Sequence, residues 1–339
     1  MTRPALSVPG MIVAVDGGGS KTDAVAVSLD GRVLAHLRGA ATNPQTQGLE
    51  RAAAVVDSLV TELIDRAGSP VLGSGVFLSG LDLEIEIEIF RAAVAHLPWA
   101  SVGASLVDND MFALLRTGTV EPDAVAVVCG TGINCVGVRA DGETARFAAL
   151  GTISGDWGGG SQLGEQALWY AARATDGRGA PTSFTESVPR HLGLPDVAAV
   201  IEALHFGRLP LAVFATLSSV VLEASDAGDV AARTIVDRQA REIVDLGVAA
   251  LGRLGLLSSA VPIVLGGGVL APANAVLIGA IEAGFFERAP LCRITVIRDR
   301  PIIGAALLTL EAVGASPEHL VGARADLARR FAQLDANHA

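Results

Sequence analysis

The chain has 339 residues, half of them hydrophobic and only 18% charged. At roughly 150 residues per domain, this length predicts two domains, and the apolar content excludes a disordered chain because it can build a large core. The net charge is −11. Because nucleic-acid binding needs a basic footprint, we expect no nucleic-acid partner, and any anion site must be built locally.

Glycines interrupt the apolar stretches, and none reaches the roughly 20 residues that a membrane-spanning helix requires. The first eleven residues hold no apolar core of signal-peptide length. We therefore expect a cytoplasmic protein with no membrane partner. Its three cysteines, Cys129, Cys135 and Cys292, match neither a disulfide framework nor a zinc pattern, so we expect buried or half-buried thiols.

The first third of the chain predicts the order βββαβαβα. Short apolar runs bounded by turn residues predict strands, and helical spacing of apolar residues predicts helices. The predicted strands are 12–15, 24–29, 32–36, 75–78 and 104–107, and the predicted helices are 48–67, 84–97 and one that begins at Asp110.

The same strand pattern restarts at residue 125. Strands are predicted at 125–128, 135–138 and 145–150. The Asp-Gly hairpin turns at Asp30 and Asp141 lie 111 residues apart, and Val13 and Val125 of the two first strands lie 112 residues apart. A near-constant offset indicates an internal duplication, which predicts two similar α/β domains.

The second half is more helical. Helices are predicted at 160–174, 196–206, 211–224 and 230–254, with a loop at 176–185. Strands are predicted at 263–265 and 293–297, followed by helices at 303–313 and 318–334 that we expect to pack on the first domain.

The glycine-rich turn Asp16-Gly17-Gly18-Gly19-Ser20-Lys21-Thr22 contains the chain's single lysine. It differs from the P-loop, which requires Gly directly before Lys, and from the dinucleotide motif, and a strand rather than a helix follows it. Alone it fits either an anion-binding turn or a turn without ligand. Further glycine turns at 129–134 and 266–268 also follow strands, and the three together favour a bound nucleotide.

These turns, DGGGSKT, GTGIN and LGGGV, resemble the phosphate-1, phosphate-2 and adenosine motifs of the superfamily of actin, sugar-kinase and heat-shock-chaperone ATPases. Within it, the chain is similar to the N-acetylglucosamine kinase and benzoyl-CoA-reductase-activator ATPase family. Segment 155–164, GDWGGGSQLG, is similar to the family's GDEGSGYWLG, and Thr42-Asn43-Pro44 and Asn109-Asp110 also match.

The resemblance implies an α/β fold of two duplicated ribonuclease-H-like (actin-like) domains. Each would have a mixed sheet that starts with a β-meander, and the nucleotide would lie in the cleft between them. The N-terminal domain would comprise 1–120 and the C-terminal helices 301–339. The C-terminal domain, with a helical insertion, would comprise 121–300.

The resemblance also implies the activity: an ATP- and Mg²⁺-dependent kinase, often a homodimer, that phosphorylates the 6-hydroxyl of an amino sugar, foremost N-acetylglucosamine. Asp110 would be the catalytic base and Asp16 would hold Mg²⁺. The residues implied to contact the sugar are Asn43, Asn109, Asp110, Asn134 and Asp156. The residues implied to contact ATP are Gly17, Gly18, Gly19, Ser20, Lys21, Thr22, Gly130, Thr131, Gly132, Gly266, Gly267 and Gly268.

The residues by themselves leave alternatives open. Asp108, Asn109 and Asp110 are all good helix N-caps, and their spacing does not choose among them. Asp16 also suits an Asx turn. Trp157 stands where the family has Glu, and Leu150 where it has Trp. Trp157 either stacks on the sugar or packs in the core, so glucosamine and N-acetylmuramic acid remain alternative acceptors.

The residues fit two other function classes less well. A reductase-activating ATPase of the same family would hold an iron–sulfur cluster through cysteines, but Cys129 and Cys135 flank the phosphate-2 turn, where a cluster would collide with nucleotide. A transcription regulator with a sugar-kinase-like body would carry an added helix-turn-helix. The first strand begins by Ile12 and the chain is acidic, which argues against it.

Overall fold

The computed structural model describes residues 10–336, which divide into two compact units. Unit 1 contains the described residues up to Val120 together with those from Asp299 onward. Unit 2 is Glu121–Arg298. Each unit is built on one five-stranded mixed sheet.

The sheet of unit 1 has the order β3-β2-β1-β4-β5. Its strands are β1 (Met11–Gly17), β2 (Thr22–Ser28), β3 (Val33–Gly39), β4 (Val71–Leu78) and β5 (Ala104–Asn109). The first three form an antiparallel meander, while β4 and β5 run parallel to β1. Its helices are α1 (Pro44–Gln47), α2 (Leu49–Ala67), α3 (Glu84–Val94), α4 (Asp110–Gly118), α11 (Ile302–Ala312) and α12 (Pro317–Ala336).

The sheet of unit 2 repeats this topology, read as β8-β7-β6-β9-β10. Its strands are β6 (Ala124–Cys129), β7 (Ile133–Val138), β8 (Thr144–Arg146), β9 (Pro262–Gly266) and β10 (Arg293–Val296). The three meander strands pair antiparallel, and β9 and β10 run parallel to β6. The two sheets therefore match strand for strand, which confirms the predicted duplication and fold class.

Most helices of unit 2 lie between β8 and β9. They are α5 (Gly160–Thr175), α6 (Phe184–His191), α7 (Val197–His205), α8 (Ser218–Asp226) and α9 (Val230–Arg253), with α10 (Ala275–Arg288) following β9. Across residues 10–336 no single helix has the length and apolarity to cross a membrane. Two helical segments joined at a sharp bend, Leu211–Asp226 and Val230–Arg253, together reach that length and apolarity, by length and composition only.

Helices cover both faces of the unit 1 sheet, and because side chains alternate along a strand, successive residues of β1 pack against different helices. Met11, Val13 and Val15 of β1 belong to a buried cluster with residues of α2 and α3. The intervening Ile12 and Ala14 belong to a second cluster with residues of α4, α11 and α12. A strand buried on both faces reads as a continuous apolar run, as β1 does.

The structure corrects several predicted elements of unit 2. The strand predicted at 145–150 is the three-residue β8, which ends at Arg146, and Ala149 beyond it adopts a left-handed backbone (φ 50°) that a regular strand does not contain. The helix predicted at 211–224 is a 3₁₀ segment, Leu211–Leu217, followed by α8. The sequence pattern predicts neither α6 nor α10. Helix α6 overlaps the expected loop and contains Pro189, and α10 is too uniformly apolar to show a helical stripe.

Candidate active site

The phosphate-1 turn of unit 1 joins β1 to β2. The Gly18 N–H donates to the Lys21 carbonyl at 2.9 Å, and Gly19, Ser20 and Lys21 are exposed. A Cβ on Gly17 would lie 2.0 Å from Thr42 Oγ1, whereas a Cβ on Gly19 would meet nothing within 4 Å. Gly17 is thus required by packing, and the tip of the turn is open to a ligand.

Thr22, at the end of this turn, is fully buried. Its hydroxyl donates to the Ala40 carbonyl at 2.7 Å and lies 2.8 Å from Thr42 Oγ1. The hydroxyl is therefore used inside unit 1. Among the side chains of the turn, those of Ser20 and Lys21 remain exposed for an anion.

Asp16 and Asp110 lie at one edge of the unit 1 sheet. Asp16 is near the carboxyl end of β1, and Asp110 follows β5, which runs parallel to it through β4. Burial, then the charge of Asp110, raises the pKa of Asp16 well above its usual value, against the opposing effect of Lys21. Two carboxyl groups thus share one weakly solvated region.

The pKa of Asp110 is raised to about 7, first by burial and then by the charge of Asp82. Backbone N–H groups of Asp110 and Met111 oppose this rise. A carboxyl group with a pKa near neutrality can exchange a proton at physiological pH, which is the property that general base catalysis needs.

The cap of α4 is Asn109, which resolves the choice among the three candidate caps. Its Oδ1 accepts from the Met111 N–H at 2.9 Å. Its Nδ2 donates to the Leu81 carbonyl at 3.2 Å and to Asp82 Oδ1 at 2.9 Å. Asn109 is 5% exposed, and both of its amide hydrogens are used within unit 1. It therefore fixes the start of the helix that begins with Asp110.

Asn43 caps the short helix α1, where its Oδ1 accepts from the Thr46 N–H at 3.1 Å. Its Nδ2 donates to Ser79 Oγ at 3.2 Å. Gly80, with φ 78°, lies so close that a Cβ there would be 2.5 Å from Asn43 Oδ1. The segment after β4 thus holds the Asn43 amide in place.

The phosphate-2 turn of unit 2 joins β6 to β7, as the phosphate-1 turn joins β1 to β2. The Gly130 N–H donates to the Gly132 carbonyl at 2.9 Å, and Thr131 and Gly132 are exposed. The equivalent position of the two turns in matched sheets follows directly from the duplication.

The third glycine turn meets the phosphate-2 turn at Cys129. Gly266 ends β9 and pairs with Val128, and Gly267 adopts φ 97°. A Cβ on Gly267 would lie 2.4 Å from the Cys129 carbonyl oxygen, which also accepts from the Val269 N–H at 3.0 Å. A Cβ on Gly268 would meet nothing within 4 Å. The structure thus brings the two glycine turns of unit 2 to one edge of its sheet.

The remaining sequence-predicted residues of unit 2 lie on or near the same turns. Asn134 is the second residue of β7, and its Oδ1 accepts from the Cys135 N–H at 2.7 Å. Asp156 accepts from the Ser154 hydroxyl, and its N–H donates to the Gly151 carbonyl at 3.0 Å. The Leu150 N–H donates to Ser154 Oγ at 2.7 Å, so Leu150 is bonded to the same residue as Asp156.

Trp157 is half-buried and packs against the hydrophobic core of unit 2. The Arg238 guanidinium lies over its ring, 3.9 Å from the centroid. One face of the indole is therefore occupied by a cation–π contact. This arrangement agrees with the packing interpretation of Trp157.

Comparison with known proteins places the chain in a family. The model of the BadF/BadG/BcrA/BcrD ATPase family matches residues 13–309, most of the chain. The chain belongs to this ATPase family. Membership implies that ATP is its nucleotide, and the matched region includes all three glycine turns.

Relatives of this family member are similar along most of their length. An N-acetyl-D-glucosamine kinase of Dictyostelium discoideum is 28% identical over 317 residues, 88% of this chain and 98% of the relative. An N-acetylmuramic acid/N-acetylglucosamine kinase of Clostridium acetobutylicum is 26% identical, over 76% of this chain and 85% of the relative. The solved structure of a Chromobacterium violaceum protein proposed to be an N-acetylglucosamine kinase has a TM-score of 0.69 at 25% identity, covering 89% of this chain and 99% of that one.

Sequence analysis did not identify Asp82, whose charge acts on Asp110, or Gln45 and Glu86, which hydrogen-bond to the segment that contains Asp82. Gln45 Nε2 donates to Asp82 Oδ2 at 3.1 Å and to Glu86 Oε1 at 2.9 Å. Glu86 Oε2 accepts from the backbone N–H groups of Asp82 and Leu83, each at 2.9 Å. The sequence signal that could have identified Asp82 is the turn Ser79-Gly80-Leu81-Asp82, which follows β4 at the same end of the sheet as Asp16 and Asp110.

The cysteines of this family member are buried, as expected. Burial raises the pKa of the Cys129 thiol to about 12 and also raises that of Cys135. Within residues 10–336, no group of three or more His, Cys, Asp or Glu side chains is arranged to hold a metal ion. Since a thiolate is the metal-binding form of cysteine, this environment opposes iron–sulfur ligation by Cys129 and Cys135.

Proposed function

We propose that this chain is an ATP-dependent amino-sugar kinase that transfers the γ-phosphoryl group of ATP to the 6-hydroxyl of N-acetylglucosamine. The observation that carries the proposal is the environment of Asp110, a carboxyl group with a pKa of about 7 at the start of a helix that Asn109 caps. Membership in an ATPase family and the names of the relatives support the same reaction.

Asp110 acts as the general base in this proposal. As the 6-oxygen of the sugar bonds to the γ-phosphorus, the bond from that phosphorus to the oxygen of ADP breaks, and the hydroxyl proton passes to the Asp110 carboxylate. A base with a pKa near the working pH is deprotonated often enough to accept a proton and basic enough to hold it. Asn109 fixes the position of this group by capping its helix, and burial, followed by the charge of Asp82, raises its pKa.

The glycine turns hold the phosphates of ATP. Within each unit, backbone N–H groups of a turn can approach an anion because no side chain obstructs Gly19 in unit 1 or Gly132 and Gly268 in unit 2. The exposed Ser20 and Lys21 add a hydroxyl donor and a cation. The single positive charge of Lys21 favours an anion locally, although the net charge of the chain is −11.

Asp16 fits a magnesium ion. Its pKa is raised by burial and by the neighbouring Asp110, so a cation at this edge would relieve an unfavourable pair of carboxylates. Mg²⁺ in such sites is bound through one or two carboxylates together with substrate phosphates. When bound, the ion neutralises charge that develops on the phosphoryl oxygens.

Amide and carboxylate groups of Asn43, Asn134 and Asp156 bind the sugar in this proposal. Such groups suit sugar hydroxyls and the N–H and C=O of an acetamide. A site built for the acetamide would leave polar groups unpaired with glucose, at about 1–3 kcal/mol for each group. The expected preference for N-acetylglucosamine over glucose is roughly tenfold or more in kcat/KM.

The test is an ATP-dependent transfer screen with N-acetylglucosamine, N-acetylmannosamine, N-acetylmuramic acid, glucosamine and glucose. ADP release and sugar phosphate are measured together, with a sugar-free control that reports ATP hydrolysis alone. The proposal predicts stoichiometric sugar phosphate with N-acetylglucosamine. Hydrolysis of ATP at the same rate with and without every sugar would contradict it.

A further inference from the structure

Gln239 of α9 is a fully buried polar side chain in the core of unit 2. Its Oε1 accepts from the Gly159 N–H at 2.8 Å. Its Nε2 has no hydrogen-bond partner in the part of the chain that the structure describes. An amide left half-paired in a core costs free energy that an apolar side chain would avoid. This cost indicates that the hydrogen bond from Gly159 to Gln239 has a role of its own.

The turn that Gln239 contacts has no room for a side chain. Gly158 has φ 135°, and a Cβ there would lie 2.7 Å from Gln239 Nε2. Gly159 has φ 86°, and a Cβ there would lie 2.4 Å from the Cα of Gly132. Gly159 is therefore enclosed between the Gln239 amide and the phosphate-2 turn, with backbone packed against backbone.

Backbone hydrogen bonds continue this contact into the phosphate-2 turn. The Gly160 N–H donates to the Gly130 carbonyl at 2.7 Å, and the Ser161 N–H donates to the Thr131 carbonyl at 3.1 Å. The start of α5 is thus bonded to the turn proposed to bind phosphate. The Gly158–Gly159 turn also directly follows Asp156 and Trp157 in the chain.

We infer that Gln239 is a positioning residue that holds the Gly158–Gly159 turn against the phosphate-2 turn and so pre-organises the phosphate site of unit 2. The inference deepens the proposed function and rests on it for the identity of the acceptor, whereas the effect on nucleotide binding can be measured separately. A displaced loop weakens both ground-state binding and transfer, because N–H donors act only when they are aimed at the phosphate oxygens.

The test replaces Gln239 by Met, which keeps the length of the side chain and removes the acceptor for Gly159. Ser225→Ala is the matched control, because Ser225 is equally buried in unit 2 and its Oγ also has no partner among the described residues. Calorimetry without sugar measures the Kd for ATP, and steady-state kinetics measures KM and kcat. We expect Gln239→Met to raise Kd and KM for ATP roughly tenfold and to lower kcat, and Ser225→Ala to leave all three within about twofold of wild type.

Unchanged Kd and KM for ATP in a folded Gln239→Met variant would overturn the inference. If that variant does not fold, hydrogen exchange on the wild-type protein without ligand provides the test. The inference predicts slow exchange of the Gly159 and Gly160 amides before ATP is added, and rapid exchange contradicts it. A wild-type protein that binds ATP but phosphorylates no sugar would defeat the proposed function while leaving the Kd comparison intact.

Discussion

Asn109 donates through Nδ2 to Oδ1 of Asp82 at 2.9 Å and so holds a second carboxylate beside the first turn of α4. The same side chain accepts from the Met111 N–H and caps the helix that begins with Asp110. One buried amide thereby fixes both the proposed base and the neighbouring charge that raises its pKa.

Asp110→Asn should abolish most turnover and preserve binding. The amide is nearly isosteric with the carboxyl group, but it cannot take the acceptor's proton, a demand that arises in the transition state. We expect kcat to fall by about 10²–10⁴-fold, while Kd values for ATP and sugar from calorimetry stay within a few-fold. A variant with near-normal kcat would exclude Asp110 as the base.

The same substitution should stabilise the ligand-free protein at neutral pH. The folded-state pKa of Asp110 is about 7, above its usual value of 3.8, so the unfolded chain releases this proton first as pH rises. As the pH rises from about 4 to about 7, the wild-type protein therefore loses folding stability. The Asp110→Asn variant does not, because its amide does not titrate. Each pKa unit corresponds to about 1.4 kcal/mol.

Urea unfolding of wild type and Asp110→Asn in EDTA, at pH 4.5 and pH 8, measures this effect. The advantage of the variant should be small at the lower pH and larger at the higher pH. An advantage that is equal at both values, or that shrinks as pH rises, would show that Asp110 is not held at a raised pKa.

Much of the fold could be predicted because its signals are local. Asp-Gly hairpins, glycine turns and short apolar runs lie close together in the chain, and their repetition revealed the duplication. The apolar helix α10 gave no periodic signal, and α6 contains a proline. Asp82 and Gln239 escaped sequence analysis because their contacts with Asn109 and Gly159 join residues 27 and 80 positions apart.

Asp82→Asn should move the pH dependence of catalysis. Asp82 is the second cause, after burial, of the raised pKa of Asp110, and the neutral amide can still accept from Asn109. We expect the acidic limb of the kcat/KM profile to shift to lower pH, because that limb reports the base in the free enzyme. A limb that stays in place or moves to higher pH would refute this role for Asp82.

Gly17→Ala should destabilise the fold, and Gly19→Ala should not. The added methyl group at position 17 would lie 2.0 Å from Thr42 Oγ1 and 2.4 Å from Leu78 Cδ2, while position 19 is open. Overpacking of this kind costs about 1–3 kcal/mol. Thermal unfolding of the two variants without ligand makes the comparison, and equal melting temperatures would contradict the packing role of Gly17.

The decisive measurement for an amino-sugar kinase is kcat/KM for N-acetylglucosamine, glucosamine and glucose, determined side by side with saturating ATP and Mg²⁺. We predict that N-acetylglucosamine exceeds glucose by roughly tenfold or more, since an acetamide site leaves polar groups unpaired with glucose. Glucosamine as the best substrate would move the assignment within the amino sugars. A kcat/KM for glucose equal to or above that for both amino sugars would show that this chain is not an amino-sugar kinase.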